Sequence, residues 1–260
     1  MARMEVSCRR FAVFGGMQTD AGAYAVCVQP GAPGLQKRGT LALITEPVGS
    51  VALEADACRL AQRAVVEGYF SDQSLGLTGS LLNALDGANN ALLQYGAGWA
   101  NDPPENGPVL LKTRRVKVGM TALLVRADGT GVYLSQMAPT QAYIMHSGLL
   151  SALPSPTGWE PAPSRTVVSL KRVLSGEEAS DEEEELPATD LANVIVPAAS
   201  LGSAPGIEAD LIYRRVTPGD KIVLVSSGLA RCIERAWAEE TFSYDIDNIA
   251  EALSDLAQER

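Results

Sequence analysis

The 260-residue sequence predicts an α+β domain built in layers: two antiparallel sheets packed together, with helix pairs outside. Three observations carry this reading. Short strand patterns come first, then two long amphipathic helices, then strands again, then a closing helix pair. Asp128-Gly129 stands between two apolar runs, a strong hairpin signal. Thr217 to Ala230 reads TPGDKIVLVSSGLA, a turn at Pro218-Gly219-Asp220, a short strand Lys221–Val225, and a break at Ser226-Ser227-Gly228-Leu229 that opens a helix. No internal repeat is evident, so residues 1–260 are read as one domain.

Taken in order, Glu5–Phe14 and Gly22–Val28 read as strands around a Gly15-Gly16 turn. Gln29–Gly39 is rich in Pro and Gly and reads as a loop, and Thr40–Thr45 as a short apolar strand. Leu53–Phe70 places Leu53, Ala57, Leu60, Ala61, Ala64 and Val65 on one helical face. Ser74–Tyr95 does the same with Leu81, Leu85, Ala88, Leu92 and Tyr95. Gly96–Pro108 is a loop. Lys112–Val118, Thr121–Arg126, Gly131–Gln136 and Gln141–His146 read as strands separated by Gly or Pro turns. Leu153–Pro163 is irregular, and Ser164–Leu174 is one more strand. Ile195–Asp220 holds extended segments. Leu229–Ala238 and Asp247–Gln258 are helical, the latter with Ile249, Ala250, Leu253, Leu256 and Ala257 on its apolar face.

Composition narrows the function. Hydrophobic residues make up 46% and charged residues 20%, enough for a sizeable core. Net charge is -10, and the run Ser175–Leu186 alone contributes seven acidic side chains and no Lys or Arg. That acidic loop, at about 175–187, is too charged and too poor in apolar residues to pack, and reads as a disordered, solvated spacer. Docking of a basic partner is the less favoured reading of it. The rest of the chain is nearly balanced, which argues against a nucleic-acid partner. No apolar run reaches the roughly 18 residues that span a bilayer, and MARMEVSCRRF lacks the apolar stretch of a signal peptide. The expectation is therefore a cytoplasmic protein with no membrane association. Cys8, Cys27, Cys58 and Cys232 form no CxxC or Cys/His pair, so free, mostly buried thiols are expected, and no zinc site.

The order of motifs resembles the metal-dependent serine/threonine protein phosphatases (the PPM, or type 2C, family). Thr217–Ala230 resembles that family's G-D-x-x-L-L-x-S-D-G-L, Gly119-Met120-Thr121-Ala122 its G-x-T-A, and Leu201-Gly202 its L-G. Ala88-Asn89 matches the Ala-Asn pair near the end of the second helix. Ala138-Pro139-Thr140-Gln141-Ala142-Tyr143 stands where the family has G-D-S-R-x-Y. Thr45-Glu46-Pro47-Val48-Gly49-Ser50 stands at the family's D-G-x-G-G, and Met17-Gln18-Thr19-Asp20 at its N-E-D. The resemblance implies a four-layer α-β-β-α sandwich. It also implies hydrolysis of phosphoserine or phosphothreonine by two Mg²⁺ or Mn²⁺ ions that hold a bridging water.

The positions matching the family metal site are Asp20, Glu46, Pro47 and Ser227. Several carboxylates must converge to hold two divalent ions. Asp20 could survive from the first motif. Glu46 replaces a bridging Asp, Pro47 a Gly whose carbonyl binds metal, and Ser227 an Asp. The family's final D-N-x-T strand has no match; Asp247-Asn248 lies at the start of the last helix, and the chain stops at Arg260. No catalytic residue, metal or cofactor is therefore assigned.

Simpler roles are at hand for each residue. Asp20 reads as a turn-stabilising Asp, Glu46 before Pro47 as an exposed loop residue, and Asp220 as a structural turn residue. Ser226 and Ser227 satisfy backbone groups at a strand end or helix start. His146, the only histidine, reads as a strand-end residue and not as the base of a serine nucleophile. The leading expectation is a pseudophosphatase that binds or regulates a protein or phosphoprotein partner. The alternative is a working phosphatase with a site rebuilt from Asp20, Glu46 and Asp245 or Asp247.

Overall fold

The computed structural model describes residues 6–14, 17–31, 35–48, 54–71, 76–101, 116–153, 160–161, 200–233 and 235–259. The strands are β1 (Val13–Phe14), β2 (Met17–Gln18), β3 (Ala25–Val28), β4 (Thr40–Pro47), β5 (Val118–Val125) and β6 (Gly131–Met137). They continue with β7 (Gln141–His146), β8 (Leu149–Leu153), β9 (Glu160–Pro161), β10 (Ile212–Arg215) and β11 (Lys221–Val225). The helices are α1 (Glu54–Ser71), α2 (Leu77–Asn101), α3 (Ser227–Cys232), α4 (Arg235–Thr241) and α5 (Ile246–Gln258).

One sheet runs β3-β4-β5-β6-β10-β9 and a second runs β11-β7-β8, with every pairing antiparallel. β1 and β2 form a small separate ribbon. Side chains alternate between the faces of each strand, and this alternation builds the layers. On β5, Val118, Met120, Ala122 and Leu124 face α1 and α2, where they pack with Ala61, Val65, Leu85 and Leu92. Leu123 and Val125 face the other way and join Val132 and Leu134 of β6, Ala142 and Ile144 of β7, and Leu153 of β8 between the sheets. Met145 and Leu150 then face outward onto Ala238 of α4, Phe242 just after it, and Ile249 and Leu253 of α5. Helix, sheet, sheet and helix layers follow, as the α-β-β-α reading predicts.

Several local expectations are corrected. Glu5–Phe14 is not one strand: residues 6–12 lie outside any strand, and only Val13–Phe14 pairs, with Met17–Gln18. The strand expected over Gly22–Val28 begins at Ala25, after a 3₁₀ turn at Ala21–Ala23. The break expected at Gly119-Met120 is absent: Val118 and Thr121 belong to one strand, β5, with Gly119 inside it, while residues 112–115 of the strand expected over Lys112–Val118 lie outside the described residues. A Cβ on Gly119 would sit 2.3 Å from Cδ of Pro139. This glycine thus serves close packing and not a turn. β8 was not expected; it forms because Ser147 (φ 51°) and Gly148 (φ 79°) close a tight hairpin after β7. The helix expected over Leu229–Ala238 is two short ones, α3 and α4. α2 extends to Asn101, past the expected Tyr95. The strand expected at Ser164–Leu174 and the acidic run lie outside the described residues. Among the cysteines only Cys58 is buried; Cys8, Cys27 and Cys232 are half-buried free thiols.

Two motif residues hold the layers in place. Asn89 of α2 is fully buried. Its Oδ1 accepts from the Gly202 N–H at 2.8 Å, and its Nδ2 donates to the Ala204 carbonyl at 3.0 Å. Gly202 has φ +77°, and a Cβ there would meet the Val116 carbonyl oxygen at 2.1 Å, so only glycine fits.

Candidate functional site

Glu46 and Ser227 meet at one end of the sandwich. Glu46 lies opposite Gly119 in the β4–β5 ladder, and Gly119 packs on Pro139 in the turn between β6 and β7. Val225 lies opposite Gln141, so the chain leaving β11 at Ser226 emerges beside that same turn. The Glu46 carboxylate accepts the Ser227 backbone N–H at 2.6 Å on Oε2 and the Ser227 hydroxyl at 2.5 Å on Oε1. Ser226 caps α3, accepting from the Leu229 N–H at 3.4 Å. A carboxylate from the first sheet is thus satisfied by donors of the segment that leaves the second. It needs no cation to join them.

Glu46 is not the exposed loop residue that Pro47 suggests. It is half-buried within β4. Pro47 is tolerated because β3 pairs with β4 only over Leu41–Ile44, so the missing Pro47 N–H faces no ladder partner.

Asp20 occupies a different environment. It caps the 3₁₀ turn Ala21–Ala23, accepting from the Gly22 N–H at 2.9 Å, and its exposed carboxylate lies 3.5 Å from the Arg59 guanidinium. Asp245 caps α5 by accepting from the N–H groups of Asp247 and Asn248, each at 3.0 Å, and Asp247 pairs with Arg9. Among the described residues no three His, Cys, Asp or Glu side chains are grouped so as to hold a metal ion.

Asp220 and His146 belong to the opposite end of the second sheet. Asp220 accepts from the Thr217 N–H at 2.8 Å and the Thr217 hydroxyl at 3.1 Å, and His146 Nδ1 lies 2.8 Å from its Oδ1. His146 ends β7 beside the start of β11, whereas Ser227 follows the far end of β11. At about 3.3 Å per residue the length of β11 separates them, so His146 cannot serve Ser227 as a base.

Sequence reading missed the polar groups that brace this end. Gln62 of α1 is buried and donates to the Thr45 hydroxyl at 2.8 Å and to the Ala23 carbonyl at 3.3 Å, tying the Asp20 turn to β4. The hydroxyls of Thr121 and Thr140 are 2.8 Å apart, and Gln136 Nε2 donates to the Thr140 carbonyl at 2.6 Å. Gln62 had a signal: a polar residue on the otherwise apolar stripe of Cys58, Ala61 and Val65. Beside the site, a mostly apolar cavity of about 870 Å³ opens between β4, β11, α5 and residues 6–13, with Glu46 and Ser226 on its lining.

Solved structures with this arrangement are serine/threonine phosphatases. PstP/Ppp of Mycobacterium tuberculosis superposes with TM-score 0.56 at 19% identity, over 96% of this chain and 89% of that one. PppA, a key regulatory component of the T6SS in Pseudomonas aeruginosa, gives 0.59 at 15% identity, over 96% and 90%. The catalytic domain of PstP in complex with two manganese ions gives 0.56 at 20% identity, over 90% of each chain. The chain has the PPM phosphatase fold. At these identities the likeness is one of fold. No protein-family model matches the sequence, and no curated protein matches it. Within this fold, Gly119 is fixed by close packing on Pro139, Asn89 and Gly202 by their mutual hydrogen bond, and Asp220 by its bonds to Thr217. No helix among the described residues is long and apolar enough to cross a membrane.

Proposed function

We propose that this chain is a pseudophosphatase, a PPM-fold domain that binds or regulates a protein or phosphoprotein partner without hydrolysing phosphate esters. The observation that carries this reading is the bond pair from Ser227 to Glu46. A two-metal hydrolase needs convergent carboxylates with free lone pairs. Here a neutral hydroxyl stands opposite one carboxylate and satisfies it. Asp20 points to Arg59 and its own turn, and Asp245 and Asp247 are engaged at α5. The residues present do not fit the pair of Mg²⁺ or Mn²⁺ ions that the fold implies, and no hydrolytic step is derived through them. A site rebuilt from Asp20, Glu46 and Asp245 or Asp247 has less support, since each of these carboxylates already has its own partner.

Calorimetric titration with Mn²⁺ is the direct test, with hydrolysis of a phosphothreonine peptide measured in parallel. The expected results are no tight binding and no metal-dependent turnover. Tight binding of two ions, or turnover abolished by Asp20→Ala, overturns the proposal.

A further inference from the structure

The half-buried thiols of Cys8 and Cys27 face each other across the outer edge of the first sheet. β3 is the end strand of that sheet, and one of its edges is paired to β4. Along its other edge lies the segment of residues 6–10. Gln29 Nε2 donates to the Val6 carbonyl at 2.6 Å, and Arg10 Nη1 donates to the Ala25 carbonyl at 3.1 Å. These two bonds hold the segment beside β3 on either side of Cys8, at Val6 and Arg10, and on either side of Cys27, at Ala25 and Gln29. Cys8 Sγ donates to the Arg9 carbonyl at 3.9 Å, and the Cys8 and Cys27 thiols each perturb the ionisation of the other.

We propose that Cys8 and Cys27 form a reversible disulfide, with Cys8 as the peroxide-reactive thiol and Cys27 as the resolving one. The Cys8 thiol is held down to about 7, first by the hydrogen bond from Cys27 and then by the Arg10 and Arg9 guanidinium charges, while Cys27 is pushed up by the same hydrogen bond and by burial. A low-pKa, accessible cysteine beside a resolving partner is the arrangement that oxidises selectively. The oxidant is hydrogen peroxide. The Cys8 thiolate attacks a peroxide oxygen, the O–O bond breaks, and the departing hydroxide takes up the proton lost from Cys8 to leave as water. The sulfenic acid on Cys8 is then attacked by the Cys27 sulfur. The S–S bond forms, and the sulfenic oxygen leaves as a second water with the Cys27 proton. Two thiols are oxidised and one peroxide is reduced to two waters. Both cysteines line the cavity beside Glu46, and the same segment reaches α5 through Arg9 and Asp247. Oxidation therefore fastens one wall of that cavity to β3.

The test is to treat the whole chain with hydrogen peroxide, block remaining thiols, digest without reductant, and map linked peptides by mass spectrometry. Most of the oxidised protein should carry a Cys8–Cys27 link within one chain, reversed by dithiothreitol, and amide exchange over residues 6–10 should slow about tenfold. Cys27→Ser should instead leave Cys8 over-oxidised to sulfinic acid. The proposal fails if wild-type protein accumulates sulfinic Cys8 with Cys27 free. It fails equally if Cys8 links to Cys58, Cys232 or another chain. Because the mapping is done on the wild type, the result does not depend on a variant folding.

Discussion

Ser227 donates twice to Glu46, once from its backbone and once from its hydroxyl, and the two can be separated by substitution. Ser227→Ala keeps the backbone bond and loses the hydroxyl, at a cost of about 1 kcal/mol, read as a lower urea midpoint with unchanged slope. Ser227→Asp sets a second carboxylate against Glu46 and costs about 2 kcal/mol at neutral pH. That cost shrinks as pH falls and one carboxylate protonates; a loss that stays flat down to the acid range would contradict the geometry. Cys8 offers a second pH readout. A thiol held near 7 instead of 9.0 is half thiolate two units earlier, so iodoacetamide labelling of Cys8 should rise through a midpoint near pH 7. At this scale the sequence was legible where backbone geometry dictated the residue. Asp220 in its Pro-Gly-Asp turn and Ser226 at a helix start needed only local rules. Glu46 did not, because its partner is 181 residues away and Pro47 looked like the mark of a loop.

The helices were legible because a 3.6-residue stripe survives any tertiary arrangement. The buried Leu81, Leu85, Ala88 and Leu92 of α2 are the predicted face. Their ends were harder to read, since caps and not periodicity decide them. For α5 the cap is Asp245, one residue before the helix, where it satisfies two backbone donors. Asp245→Ala should cost about 1 kcal/mol and increase amide exchange in the first turn of α5 while leaving α1 unchanged. The strands were less legible than the helices. β5 is buried on both faces, so it carries no alternation, and Gly119 inside it looked like a break. Its reason for being glycine lies on Pro139, in a different turn. Gly119→Ala should therefore destabilise by about 3 kcal/mol, although alanine is otherwise no obstacle to a strand.

Three apolar layers alternate with four of secondary structure, and the middle one decides whether the molecule is a unit. Leu134 is fully buried between the sheets. Leu134→Ala should lower stability by about 2–5 kcal/mol and lower the melting temperature of far-ultraviolet and near-ultraviolet signals together. Two separate transitions would mean that the sheets fold independently. The layer order was readable from the sequence because strands and helices come in blocks. The pairing was not, since β10 adds to β6 from 78 residues away or more, through main-chain bonds that any side chains could permit.

The bonds that bind Gly202 to Asn89, Leu201 to Val118, and the Ser200 hydroxyl to the Ala138 carbonyl have a consequence for how this chain can vary in length. They clamp the chain where it re-enters the fold, and β9 is paired to β10, so both ends of the connection between β9 and Ser200 are fixed. Closing a flexible connection costs entropy that grows only with the logarithm of its length, about 0.6 kcal/mol per doubling. For the solvated spacer expected at about 175–187, removing Ser175 to Leu186 should therefore leave the melting temperature within a degree or so; a larger shift would contradict the spacer reading. A spacer fixed only at its ends can lengthen or acquire new recognition signals without disturbing the sandwich that carries it.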